Sequence, residues 1–123
     1  MIRHELDTCN AILRVRPIGP FKRQDIEEVN RAVDPFIRKH GALSGLVIET
    51  TPFPYWQNLP SMIEHFHFTR DQHRKLKRIA VITRDADCSD MVERIRAHFD
   101  GAAIRCFTPE DRGAARSWAE GWV

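Results

Sequence analysis

At 123 residues, 42% hydrophobic and 29% charged, the chain is sized and composed for one globular domain with a single core, not for a disordered segment. A formal net charge of +2 is too small to spread positive potential over a whole face, which argues against nucleic acid as a partner. No apolar run approaches the length of a membrane span, and no internal repeat or low-complexity tract is present.

The three cysteines, Cys9, Cys88 and Cys106, have neither CxxC nor zinc-finger spacing. The opening MIRHELD is charged from its third residue and does not read as a secretory apolar region. Together these predict free thiols and a reducing, cytoplasmic setting.

In chain order, Ile2 to Leu6 and Ala11 to Val15 are short strand candidates. Asp7-Thr8-Cys9-Asn10 between them is turn chemistry, so the pair predicts a hairpin, ended by Pro17-Ile18-Gly19-Pro20. From near Phe21, the residues Ile26, Val29, Val33, Phe36 or Ile37, and His40 recur at helical spacing. Pro35 inside that pattern predicts a kink, or a restart with Asp34 as cap and Pro35 in the first turn. Gly41 supplies the exit.

Leu43 to Thr50 holds Leu46-Val47-Ile48, an uncharged β-rich run of the kind buried on both faces. Three prolines and three aromatics then fill Thr51 to Pro60. A helix is predicted from Ser61, with Leu59, Met62, Phe66, Thr69, His73 and Leu76 along one face and Arg74, Lys75, Lys77 and Arg78 crowding its last turn. Ile79 to Ile82 is a second buried-strand run. Asp85 or Asp87 can cap a third helix carrying Met91, Val92, Ile95 and Phe99 inward. Ala102 to Phe107 is the last strand, and Pro109 opens a terminal helix with Ala114, Ala115, Trp118 and Trp122 as its inward candidates. The order β-β-α-β-α-β-α-β-α predicts a single α/β domain. Its sheet has four or five mostly parallel strands, an antiparallel N-terminal hairpin and about four helices.

Several strings carry a family resemblance: DPFIRKHG at Asp34–Gly41, FPYW at Phe53–Trp56, FTRDQHRKLKRIAVIT at Phe68–Thr83, and AIRCF ahead of the terminal helix. Together they resemble the SpoIIAA-like proteins, small bacterial domains related to STAS anti-sigma-factor antagonists and to the lipid-binding SEC14 (CRAL-TRIO) fold. The likeness runs from about Phe21 to Trp118. It implies the same sheet with helices against it and no settled biochemistry. Tyr55 stands where glycine is expected. STAS antagonists carry a phosphorylated serine after a strand; here that region offers Thr50, Thr51 and Ser61, without the usual Asp-Ser signature.

Two features are candidates for recognition. The first is the basic cluster around Arg70, His73 and Arg74, with Lys75, Lys77 and Arg78, which fits an anion or reads as a solvated helix end. The second is the aromatic set Phe53, Tyr55, Trp56, Phe66 and Phe68, which fits core packing, a partner or dimer surface, or an apolar cleft. Chemistry has weaker support. The six histidines, His4, His40, His65, His67, His73 and His98, have no metal-ligand spacing, so no metal and no cofactor is expected. Cys88 before a helix is the one candidate thiolate, and Cys106 in a strand should be inert. Glu49 and Glu64 show no pairing, with Glu49 reading as a rim residue at a strand end. The expectation is therefore a non-enzymatic regulatory or protein-interaction module. The alternative is a carrier or sensor of a small amphipathic or anionic lipid-like ligand.

Overall fold

The computed structural model describes residues 1–18, 22–50, 65–66, 77–84, 88, 92–93, 95–96 and 102–121. Five strands, β1 (Ile2–Asp7), β2 (Ile12–Pro17), β3 (Gly45–Glu49), β4 (Arg78–Ile82) and β5 (Ala103–Phe107), form one sheet in the order β1-β2-β3-β4-β5. β1 and β2 are antiparallel, and every later pair is parallel. Among the described residues two α-helices are complete, α1 (Arg23–His40) and α2 (Arg112–Ala119), not the four expected. The expected helix from Ser61 and the one after Asp85 or Asp87 fall largely outside the described residues. Of the latter, Val92, Glu93, Ile95 and Arg96 are helical, and Ile95 is fully buried as its spacing requires.

The hairpin forms because Asp7 closes its own turn. Its carboxylate accepts from the backbone N–H of Cys9 at 3.0 Å and of Asn10 at 3.2 Å, and from the Asn10 side-chain amide at 3.0 Å. The second strand starts at Ile12, one residue later than expected, because Ala11 takes a left-handed φ of 59°. That turn points the Ala11 carbonyl at the N–H of Ser44, 2.7 Å away, and so docks the hairpin beside β3.

α1 runs unbroken through Pro35, correcting the expected kink or restart. The ring removes one backbone bond, leaving the carbonyl of Arg31 without its helical donor. Arg31 and Pro35 both lie on the exposed side of the helix, where solvent can reach that carbonyl. Asp34 is therefore an interior residue, not a cap. The buried face is Ile26, Val29, Asn30, Val33, Phe36 and Ile37. His40, placed on this face by its spacing, is exposed and stacks on Phe36 with ring centres 4.5 Å apart. Gly41 ends the helix with φ 92°, its N–H donating to the Ile37 carbonyl at 2.7 Å.

The Asp25 carboxylate accepts the backbone N–H of Lys22 at 2.7 Å and serves the start of the helix. That bond holds the Asp25 carboxyl below its ordinary 3.8. The Asn10 amide does the same, first among several causes, for Asp7, and a backbone N–H does so for Glu110, whose ordinary value is 4.5. Carboxyls depressed in the folded state stabilise it at pH above their ordinary values, and the contribution is lost as pH falls through the lowered ones. The unfolding midpoint should therefore hold level through neutral pH, begin to fall below 4.5 and fall more steeply below 3.8. Asp25→Asn should remove part of that fall. A midpoint equally steep in wild type and Asp25→Asn would contradict the cap.

Right-handed crossovers between strands added in one direction all fall on one side of a sheet. The inner face accordingly carries Leu13, Val15, Leu46, Ile48, Ile79 and Val81 against α1, with Phe66 and Ile95 in the same core. The outer face carries Ile12, Val47, Ala80 and Ile82 against Ala115 and Ala119 of α2. Pro109 opens a 3-10 turn, Pro109–Asp111, before the helix proper. Ala115 and Ala119, four apart, face the sheet, whereas Ala114 is exposed, correcting its expected inward placement. Trp118 is half-buried, and Trp122 lies outside the described residues. The Trp118 ring lies near Phe107 and beneath Arg78, whose guanidinium also donates to the Trp118 carbonyl at 2.7 Å. Arg78 thus begins β4 and serves the end of α2; it is not part of the expected basic helix turn.

Small residues let α2 sit close to the sheet. A Cβ on Gly45 would stand 3.0 Å from the backbone carbonyl oxygen of Ala119, an atom that cannot swing away. Gly45→Val should cost about 1–3 kcal/mol and loosen α2, read as a lower urea midpoint and a red-shifted tryptophan emission. An unchanged midpoint would show that this contact is not tight.

Cys88 and Cys106 are joined by a disulfide, which overturns the expectation of free thiols throughout. Cys9 is free and exposed. The bond ties edge strand β5 to the residue whose carbonyl accepts the Val92 N–H at 3.0 Å. While bonded, Cys88 cannot act as the thiolate considered for it. Among the described residues no helix is long and apolar enough to cross a membrane.

Candidate functional site

α2 covers only part of the outer face. It packs on β3, β4 and β5 and reaches β2 at Ile12. Beyond Ile12, the outer side of β1 and β2 carries Arg3, Glu5, Arg14 and Arg16; Arg14 is half-buried and the other three are exposed. The hairpin register sets Arg3 directly opposite Arg16 and Glu5 opposite Arg14. Val15 pairs with Ile48, so Arg16 comes alongside Glu49, and Glu49 pairs with Ile82. One row of outward residues therefore crosses the sheet at the C-terminal ends of its parallel strands.

A recess of about 330 Å³ lies there, lined by Arg3, Glu5, Arg14, Arg16, Glu49 and a floor of Val47 and Ile82. The floor is apolar because both residues, each 4% exposed, belong to the outer core. The acids of the recess already have partners. Glu5 lies 3.8 Å from Arg14. Glu49 takes the guanidinium of Arg112, the first residue of α2, and so is the rim residue its strand-end position suggested. No carboxylate lies within ion-pair distance of Arg3 or Arg16 among the described residues. Two guanidiniums on directly opposed positions repel, and a cross-strand pair of like charges weakens a sheet. This pair is therefore an electrostatic cost the fold carries.

A larger groove, about 730 Å³, runs beside α1 and includes Asn30 and His65 in its lining. The Asn30 amide donates to the His65 carbonyl at 3.0 Å, and Arg23 pairs with Glu27 at 3.5 Å. Lys22, Arg31 and Asp34 also line it, but no strand register sets its cations opposite one another as Arg3 and Arg16 are set.

Of the residues singled out in sequence, Phe66 is 4% exposed and fills the inner core. Phe53, Tyr55, Trp56, Phe68, Arg70, His73 and Arg74 lie outside the described residues, as do His67 and His98. Among the described residues no three histidine, cysteine or acidic groups come together as metal ligands. Sequence reasoning missed Arg3 and Arg16. The available signal was the hairpin itself: a turn closed by Asp7 and ended by Ala11 pairs Asp7 with Ile12, and counting back from there pairs residue 3 with residue 16.

An open mixed sheet in sequential strand order, with helices on both sides and a charged C-terminal rim, defines a small α/β domain. A family model described as SpoIIAA-like matches residues 12–120, and the chain belongs to that family. No curated protein and no solved structure matches it.

Proposed function

We propose that this chain is a non-enzymatic regulatory module of the STAS type that works by binding a protein partner, with the uncovered rim of the outer sheet face as its contact surface. The observation that carries the reading is the partial cover: α2 packs on β3 to β5, meets the hairpin at Ile12 and, through Arg116, at Asp7, and leaves Arg3, Glu5 and Arg16 exposed. In sequence, β3 is followed by Phe53, Tyr55 and Trp56, residue types that interfaces favour.

Photo-crosslinking in the cells that make the protein tests this. A benzophenone side chain at position 14 should give a discrete adduct with another protein, and one at exposed position 114 should not. Adducts at neither position, or equally at both, would refute the surface. Native mass spectrometry tests the competing carrier reading, since a co-purifying lipid would replace the partner reading.

A further inference from the structure

We propose that Arg3 and Arg16 form a two-guanidinium seat for a phosphate monoester, carried by a phosphorylated serine or threonine of the protein partner. The inference rests on the open rim being the contact surface and names the chemistry it selects.

The argument is one of charge and place. Opposed positions on an antiparallel pair have Cβ atoms about 5 Å apart, so two guanidiniums at Arg3 and Arg16 reach a single oxyanion between them. The nearby acids are already engaged, Glu5 beside Arg14 and Glu49 on Arg112. Two uncompensated positive charges call for about two negative ones. A carboxylate brings one. A phosphate monoester brings nearly two at neutral pH, with three acceptor oxygens that suit the guanidinium fork. Binding such a group turns the repulsion of the pair into attraction for the ligand.

The recess also decides the source. At about 330 Å³ it is near the lower limit for a small-molecule pocket, and it lies on a sheet face rather than inside a crevice. One side chain fits it, and the exposed surface around it is left for the rest of a partner to cover. The apolar floor of Val47 and Ile82 receives the carbon stem, while the phosphate sits toward the arginines.

The probe is N-acetyl-phosphothreonine methylamide, titrated into the full chain while the arginine side-chain NMR signals are followed. Saturable shifts at Arg3 and Arg16 are expected, with a Kd of about 1 mM for so small a fragment. The affinity should weaken between about pH 7.5 and pH 5, as the phosphate loses its second charge. Arg3→Gln and Arg16→Gln should each weaken binding about tenfold. Arg105→Gln, the same change at an exposed site on β5, should leave it unaltered. All three replace exposed side chains, and an unchanged amide spectrum verifies their folding. The assignment is overturned by an absence of saturable shifts, by equal loss in Arg105→Gln, or by inorganic phosphate or acetyl-glutamate methylamide binding as tightly as the phosphothreonine probe. Adducts at position 14 that survive phosphatase treatment of the cells' extract before crosslinking would overturn the phosphate seat while retaining the contact surface. Loss of the adducts on phosphatase treatment is the expected result, and their absence without it would remove both the seat and the surface.

Discussion

Cys106→Ser is expected to lower the unfolding free energy by about 3 kcal/mol, because the Cys88–Cys106 bond closes a loop of 18 residues in the unfolded chain. A cross-link between residues that far apart removes conformations the unfolded state would otherwise sample. It also fixes an edge: among the described strands β5 has one neighbour, β4, and the bond fastens its inner side to Cys88, whose carbonyl accepts the Val92 N–H. Urea unfolding without reductant should separate wild type from Cys106→Ser, and adding dithiothreitol should bring the two together. Thiol titration gives an independent check. The native chain should show one reactive thiol, Cys9, and the reduced, denatured chain three. Three thiols in the unreduced protein would mean that the bond does not form.

Leu46→Ala should cost about 2–5 kcal/mol. Leu46 is fully buried at the centre of the sheet, paired with Leu13 on one side and Ile79 on the other. Above it lies the inner core closed by α1, in which Val29 and Val33 are equally inaccessible. β3 is held by strands on both sides, so the neighbours cannot collapse far into the vacated volume, which puts the expected cost in the upper part of that range. Val47→Ala, on the opposite side of the same strand, should cost less, since Val47 is smaller and faces the partly open outer layer. Urea midpoints for the two variants test the ordering. Equal losses would mean that the two layers are equally well packed.

The strands were legible because their physics is local. Leu46-Val47-Ile48 and Ile79 to Ile82 are uncharged runs bounded by charge or turn residues, and both became central parallel strands. α1 was legible from its spacing, but its continuity was not. Whether Pro35 breaks a helix depends on whether the carbonyl of Arg31 meets water, and a periodic pattern does not say which side solvent is on. The disulfide was hidden for a related reason: an 18-residue separation becomes a bond only when β5 returns beside the segment that precedes it. Ala114 was misplaced because Ala114 and Ala115 are equally apolar, and the facing surface of Gly45 and Ala80, which selects Ala115 and Ala119, is contributed by strands far away in the chain. The candidate site was legible as charge but not as an arrangement. Arg3 and Arg16 are ordinary polar residues of alternating strands until the turn at Asp7 sets which faces which.

The strand order carries one further consequence. Every strand lies beside the one that precedes it in the chain, from one rim of the sheet to the other. Among the described strands none is inserted between two earlier ones, so the sheet can grow by accretion from the hairpin, each addition closing only the stretch just made. Loop-closure costs stay small at every step, which favours rapid assembly for a mixed α/β chain and suits a polypeptide that begins to fold as it leaves the ribosome.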